Sequence, residues 1–210
     1  MRDVADPVQA EIQSVFSRIY QEGSWGRGSG PGSNPEVLGD YRLFLERFIR
    51  LNGVRTIVDV GCGDWQFSRF VDFGQARYLG LDVVDSVLEA NTRAYGSDRV
   101  EFRRAPGRVA DIPSADLLIM KDVLQHLPDP MILEYKALIR SRFRYALLTN
   151  SFFKGEAPLN TPIAPGDFRC LDLQAEPYRF GGAYVVEQVY PIGGVVYEHL
   201  RALLIAPAED

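Results

Sequence analysis

The segment Thr56–Gly63, TIVDVGCG, constrains this chain more than any other stretch. Its first five residues form a short β-branched run and read as a buried strand. That run passes directly into Gly61-Cys62-Gly63. Glycines at the end of a strand let the main chain turn tightly and let a ligand approach the backbone. In open α/β sheets, ligands sit outside the carboxyl ends of the strands, where this loop would lie.

The residues downstream repeat the same alternation. Phe67–Phe73 reads as a helix, Tyr78–Asp82 as a strand, Val84–Tyr95 as a helix and Val100–Arg104 as a strand. Asp116–Met120 and Tyr145–Thr149 read as two further strands, with helical periodicity over Leu133–Arg140 between them. Strands alternating with helices imply βαβ units and a mostly parallel sheet covered on both faces. The end differs. Gly182–Val189 and Val195–Ala206 are two strand-like runs separated by Pro191–Gly194, the spacing of an antiparallel hairpin.

Two helical stretches precede the first strand, Val8–Tyr20 and Pro35–Leu51. Between them, Gly23–Ser33 is too rich in glycine for a regular element and reads as a mobile loop. Trp25 within it is unusual for a bare linker, which points to a lid that folds over a ligand, with Trp25 and Ser29 closing on it. The expected organisation is residues 1–53 as N-terminal helices and glycine-rich lid, and 54–210 as the α/β domain, in one globular unit. Ser151–Pro177 is a long irregular stretch of the kind that carries function in compact domains.

Charge and cysteine content narrow the class. The net charge of -5 argues against nucleic acid as a partner, because phosphate binding needs a basic surface. Two cysteines, Cys62 and Cys170, form neither a disulfide framework nor a zinc pattern. The N-terminus is polar and acidic rather than signal-like, and no apolar run is long enough to span a membrane, so the expected location is the cytoplasm.

The glycine loop suits either a dinucleotide or S-adenosylmethionine, and its neighbours discriminate. A dinucleotide fingerprint requires Gly-x-Gly-x-x-Gly facing a pyrophosphate. Here the third position is Gln66, and Asp64 would repel a pyrophosphate. S-adenosylmethionine carries an ammonium and a sulfonium and no phosphate, so carboxylates beside the loop make sense. Asp59 would lie under the loop, orienting its main chain or binding the ammonium. Asp82 ends the second strand about twenty residues after the glycines, the separation of a ribose-binding acid.

With those residues in place, VDVGCGDW at Val58–Trp65 and GLD at Gly80–Asp82 resemble the first two motifs of the class I S-adenosylmethionine-dependent methyltransferases. The resemblance extends over Val54–Ala206. It implies a Rossmann-like three-layer sandwich with a seven-stranded, mostly parallel sheet in the order 3-2-1-4-5-7-6 and an antiparallel last strand. It also implies that Arg104–Gly107 contacts the adenine, with Asp111 supplying the acid that this loop lacks. The cofactor residues it suggests are Asp59, Gly61, Cys62, Gly63, Asp64, Asp82, Val83, Lys121 and Trp25. IYQEGSWG at Ile19–Gly26, GSGPGS at Gly28–Ser33, KDVLQHL at Lys121–Leu127 and GDFRCLDL at Gly166–Leu173 are similar to short stand-alone bacterial methyltransferases, many acting on small molecules or glycans.

Methyl transfer to a hydroxyl requires a base. Asp122 and His126 are four residues apart after the fourth strand and would share one side of a helical turn. They are the expected catalytic pair, His126 as base and Asp122 orienting it or touching the methionine end of the cofactor. Asn150, Ser151, Asn160, Arg169 and Tyr178 are the expected acceptor contacts, Arg169 as a clamp for an anionic or polyhydroxylated substrate. No Asp-Asn pair accompanies Asp122, so no metal is expected. The expected activity is methyl transfer from S-adenosylmethionine to a hydroxyl of a small molecule or sugar. The alternatives are N-methylation of a small molecule and nicotinamide-dependent oxidation. Oligomeric state is not legible in the chain.

Overall fold

A computed structural model describes residues 7–26, 28–36, 38–154, 158–192 and 196–207. Two helices come first, α1 (Pro7–Glu22) and α2 (Gly39–Leu51), followed by β1 (Thr56–Val60), β2 (Arg77–Asp82), α3 (Asp85–Tyr95) and β3 (Val100–Arg104). Then come β4 (Ala115–Lys121), α4 (Asp129–Arg142), β5 (Phe143–Lys154), β6 (Ala183–Ile192) and β7 (Val196–Ile205). The seven strands form one sheet in the order β3-β2-β1-β4-β5-β7-β6. β1 to β5 are parallel, and β7 runs antiparallel to both β5 and β6. This is the Rossmann-like sheet of the class I methyltransferase fold, in the expected order. The residues expected at the hairpin turn, Gly193 and Gly194, lie outside the described residues, as does the acidic stretch Met1–Asp6.

Burial explains why the central strands read as continuous apolar runs. Leu117, Leu118 and Met120 of β4 and Ala146, Leu147 and Leu148 of β5 are fully buried. Strands covered on both faces leave no solvent-facing positions for polar residues. Alternate side chains enter two cores. One is closed by Met131, Ile132, Tyr135, Leu138 and Ile139 of α4 and by Ile12 of α1. The other is closed by Tyr41, Leu45 and Ile49 of α2 and Leu88 of α3.

The expected helix over Phe67–Phe73 does not form. A single 3-10 turn, Ser68–Phe70, stands in its place. Phe70 and Val71 donate to carbonyls three residues back, Phe67 O and Ser68 O, which tightens the turn. The Asp72 carboxylate then accepts from Gly74 N at 2.9 Å, and Gly74 adopts φ +59°, so the chain turns off before a second helical turn. The apolar residues that suggested a helix, Phe67, Val71 and Phe73, are buried one by one among the α2-side core. The Pro35–Leu51 helix starts later than its periodicity suggested, at Gly39, and β5 runs five residues past Thr149. Among the described residues, no helix is long and apolar enough to cross a membrane.

Candidate active site

The glycine loop leaves β1 in conformations that a β-carbon obstructs. Gly61 has φ +72° and Gly63 φ +56°. A Cβ on Gly61 would collide with Val123, and one on Gly63 with Ser29. Backbone bonds from Gly61 N and Cys62 N to Leu81 O fasten the loop to the end of β2, at 2.7 and 3.1 Å. Asp82 fastens it further. One carboxylate oxygen accepts from Gly63 N at 2.9 Å, and the other from Val83 N at 2.7 Å and Val84 N at 3.0 Å. From α3, the Asn91 amide donates to Gly63 O at 2.7 Å. Asn91 escaped the sequence reading. Its one signal is polarity at a core-facing helical position, next to Val87 and Leu88.

Above this loop lies a cavity of about 130 Å³. All nine residues expected to bind the cofactor line it: Trp25, Asp59, Gly61, Cys62, Gly63, Asp64, Asp82, Val83 and Lys121. Asp122 lines it too. Apolar walls come from Ile12 and Phe16 of α1, from Val109 and Ile112 after β3, and from Met131 and Tyr135 of α4. Ala105 and Pro106 of the expected adenine loop also reach it. Asp111 does not. It is held on the surface by Nε and Nη2 of Arg108, each at 2.8 Å, so the acid expected near the adenine turns outward.

Charge in the cavity is lopsided. Asp59, Asp64, Asp82 and Asp122 face it, and among the described residues Lys121 is the one basic side chain in its lining. Asp59 accepts from the Tyr78 hydroxyl at 2.5 Å and is buried. Burial raises its pKa to about 7, against the lowering effects of Tyr78 and Lys121 and with a further rise from Asp82. Asp82 is also raised, by burial above all, despite its three backbone donors. An Asp whose folded pKa lies above its unfolded value holds its proton more tightly when folded, so stability declines as pH rises from about 4 to about 7. Asp59→Asn is expected to flatten that decline in chemical denaturation series across this range, and an unchanged slope would assign the decline elsewhere.

Among the described residues of the glycine-rich segment, Trp25, Ser29 and Ser33 line the cavity. Ser29 donates to Asp64 Oδ1 at 2.7 Å and accepts from Asp64 N at 3.0 Å, leaving the Tyr20 hydroxyl as donor to Ser29 at 2.7 Å. Gln66 donates to Gly30 O at 3.0 Å, and Lys121 to Gly32 O at 2.5 Å. Trp25 packs against Phe16, Tyr20 and His126, with ring centroids 5.8, 5.7 and 5.2 Å apart. Thus Asp64 and Gln66, the residues that spoke against a dinucleotide, also latch the lid.

The other expected residues lie elsewhere. His126 ends a 3-10 turn, Leu124–His126, that begins after Asp122, so the two do not share a helical face. Its ring is outside the cavity lining, packed on Trp25, Phe16 and Phe168, with Nδ1 2.9 Å from Asp167 O. Asp122 contacts Lys121 rather than His126. Arg169 is buried, ion-paired with Asp129 and bonded to Leu127 O and, at 2.8 Å, to Thr161 O. Tyr178 donates to the same Asp129 oxygen at 2.7 Å. The Asn160 side chain bonds Asp172 O, Glu176 O and Asp172 N. These three tie the long loop to itself and to α4 and are not presented to the cavity. Ser151 is fully buried, its N–H held by Gln125 at 2.7 Å. Asn150 is buried with both amide atoms unpartnered. Among the described residues, no three His, Cys, Asp or Glu side chains gather as metal ligands.

Comparison with known proteins agrees with this geometry. The family described as "Methyltransferase domain" matches residues 58–134, from the middle of β1 into α4. That match is to part of the chain. The matched residues include the glycine loop, Asp82, Lys121 and Asp122, whereas α1 and the glycine-rich segment precede them. Among solved structures, the chain is similar to the 1,6-didemethyltoxoflavin-N1-methyltransferase of Burkholderia thailandensis, at 17% identity and TM-score 0.66, covering 99% of this chain and 93% of that one. It is also similar to the magnesium protoporphyrin IX methyltransferase of Synechocystis PCC 6803, at 17% identity and TM-score 0.58, covering 96% and 99%. At these identities the likeness is one of fold. No curated protein matches the sequence.

Proposed function

We propose that this protein is an S-adenosylmethionine-dependent methyltransferase acting on a small-molecule acceptor. The observation that carries this reading is the cavity itself: a glycine loop clamped by Asp82, lined by four carboxylates and one ammonium. Such a lining attracts a cationic ligand and disfavours a pyrophosphate, which sets aside the nicotinamide alternative. Both structures named above hold the cofactor or its demethylated product. The residues present fit that cofactor. Asp82 has accepted three N–H bonds and retains lone-pair capacity for ribose hydroxyls. The apolar walls from Val109, Ile112, Met131 and Tyr135 suit a flat heterocycle.

When bound, S-adenosylmethionine supplies a methyl group already activated on its sulfonium. The protein's own contribution is orientation and a dry site. Tyr20, Trp25 and Ser29 cover the cavity and exclude water, while the Asp59–Asp64 loop positions the ligand from below. A hydroxyl acceptor on a small molecule or sugar needs a base, and Asp122 lines the cavity beside Lys121. His126 lies against Trp25, and its base role requires movement of that ring.

Calorimetry with S-adenosylhomocysteine tests the central reading, with binding expected in the micromolar range or tighter, and absence of binding to both it and S-adenosylmethionine overturning it. Labelled cofactor offered to panels of small alcohols, sugars and amines, with product mass analysis, identifies the acceptor atom. If His126 is the base, His126→Ala lowers turnover far more than cofactor affinity, whereas equal loss in both assigns it to support of Trp25.

A further inference from the structure

At the amino-terminal end of β1, opposite the cofactor cavity, lies a cleft of about 710 Å³. It shares no lining residue with that cavity. One wall is the outer face of α2 and another the turn at 72–75, and the buried side chains of Ile49, Val54 and Phe73 supply its apolar lining. Leu43, Arg47 and Arg50 stand at i, i+4 and i+7 along α2, so they share one helical face. Arg55, the residue before β1, brings a third guanidinium. Two carboxylates also line the cleft, and both are engaged. Glu46 accepts from Asp72 N at 3.1 Å and lies 3.5 Å from Arg42, and Asp72 accepts from Gly74 N at 2.9 Å. Among the described residues, the guanidiniums of Arg47, Arg50 and Arg55 have no hydrogen-bond, ion-pair or ring partner. A chain of net charge -5 thus carries a local row of unpaired positive charge.

We propose that this cleft docks an acidic segment of a protein partner, one whose carboxylates are interspersed with apolar side chains. The planar forks of Arg47, Arg50 and Arg55 match carboxylates, which supplies the charge complementarity. Exposed apolar surface decides between a peptide and a small anion. Leu43 is 53% exposed one turn before Arg47, and Leu51 is 73% exposed one turn after it. A leucine on each side of Arg47 offers contacts that an inorganic anion cannot use, whereas apolar residues among the acids of a peptide cover both. From Leu43 to Arg50 the helix rises about 10 Å, a length that about three or four extended residues span. The five residues of β1 hold the cleft on the order of 16 Å from the glycine loop. The partner therefore docks without obstructing the cofactor cavity, and the inference stands independently of the proposed cofactor.

Selection of a displayed library of short random peptides against the full chain tests it. The recovered peptides are expected to be enriched in Asp and Glu interspersed with Leu, Ile, Val or Phe. Their affinity is expected to fall about tenfold or more in the triple variant Arg47→Gln, Arg50→Gln, Arg55→Gln. It should change little in a control of equal charge, Arg18→Gln, Arg93→Gln, Arg140→Gln, at exposed positions of α1, α3 and α4. Leu43→Ser should weaken the same peptides severalfold. The cleft triple is expected to keep its melting temperature, because its three side chains have no partner to lose. Should it fail to fold, the Leu43→Ser variant decides. Peptides without acidic enrichment overturn the proposal, as does an equal loss in both triples or a loss in neither. Displacement of the peptides by tripolyphosphate, with Leu43→Ser without effect, assigns the cleft to a small anion and overturns it. A dimer in analytical ultracentrifugation that the cleft triple abolishes assigns this face to a second copy of the chain, with the same consequence.

Discussion

Asp82→Ala is expected to weaken S-adenosylhomocysteine binding by about a hundredfold or more and to destabilise the fold as well. The two effects have separate origins. For the ligand, the loss is that of charge-assisted hydrogen bonds to ribose hydroxyls, each on the order of 1.5–3 kcal/mol. For the fold, the loss is that of the acceptor for Gly63, Val83 and Val84 N–H groups. Buried donors left without partners cost about 1–3 kcal/mol each, so about 3 kcal/mol or more is at stake. In a chain of this size that lowers the melting temperature by roughly 6–12 °C. Asp82→Asn separates the effects. Its carbonyl oxygen can still accept from Val83 and Val84, but its NH₂ meets the Gly63 N–H donor to donor. Calorimetry alongside thermal unfolding measures both. Native affinity in folded Asp82→Ala would remove this residue from the binding site.

Arg169→Met is expected to act on stability alone. The guanidinium is buried and holds Asp129, Leu127 O and Thr161 O, and Tyr178 leans on the same carboxylate. Removing one partner of a buried ion pair strands the other, at a cost of about 3–5 kcal/mol. That corresponds to a melting temperature lower by roughly 6–20 °C. Well below that temperature, cofactor affinity should match the unmodified protein. A variant that melts normally but loses turnover would return Arg169 to the role of substrate clamp.

Arg169 also shows where reading a sequence stops. An arginine in a long loop looks available to a ligand. Its partner, Asp129, lies forty residues away, and only the docking of the loop on α4 brings them together. The expected pairing of His126 with Asp122 fails for a related reason. The i, i+4 spacing from Asp122 places both on one face only if a regular helix connects them. A left-handed residue followed by a 3-10 turn does not. The Phe67–Phe73 segment is the third case. Its apolar residues satisfy helical spacing, but Asp72 and Gly74 bend the chain before the helix can propagate.

What was legible in the chain alone was whatever depends on local pattern. Strand identity follows from continuous apolar runs, the reversed hairpin from its spacing, and the cofactor loop from glycines at a strand end with an acid at the next. Eight of the nine expected cofactor residues reach one cavity from strand ends, because parallel strands deliver their carboxyl ends to one edge of the sheet, and Trp25 reaches it from the glycine-rich segment. Tertiary structure decided what depends on partners distant in sequence. It turned Asp64 and Gln66 into latches for a lid some thirty residues upstream. It placed Asn91 under the loop and tied Asn160, Arg169 and Tyr178 into bonds within the long loop and to α4. Such outcomes depend on where the chain returns in space, which no spacing along it encodes.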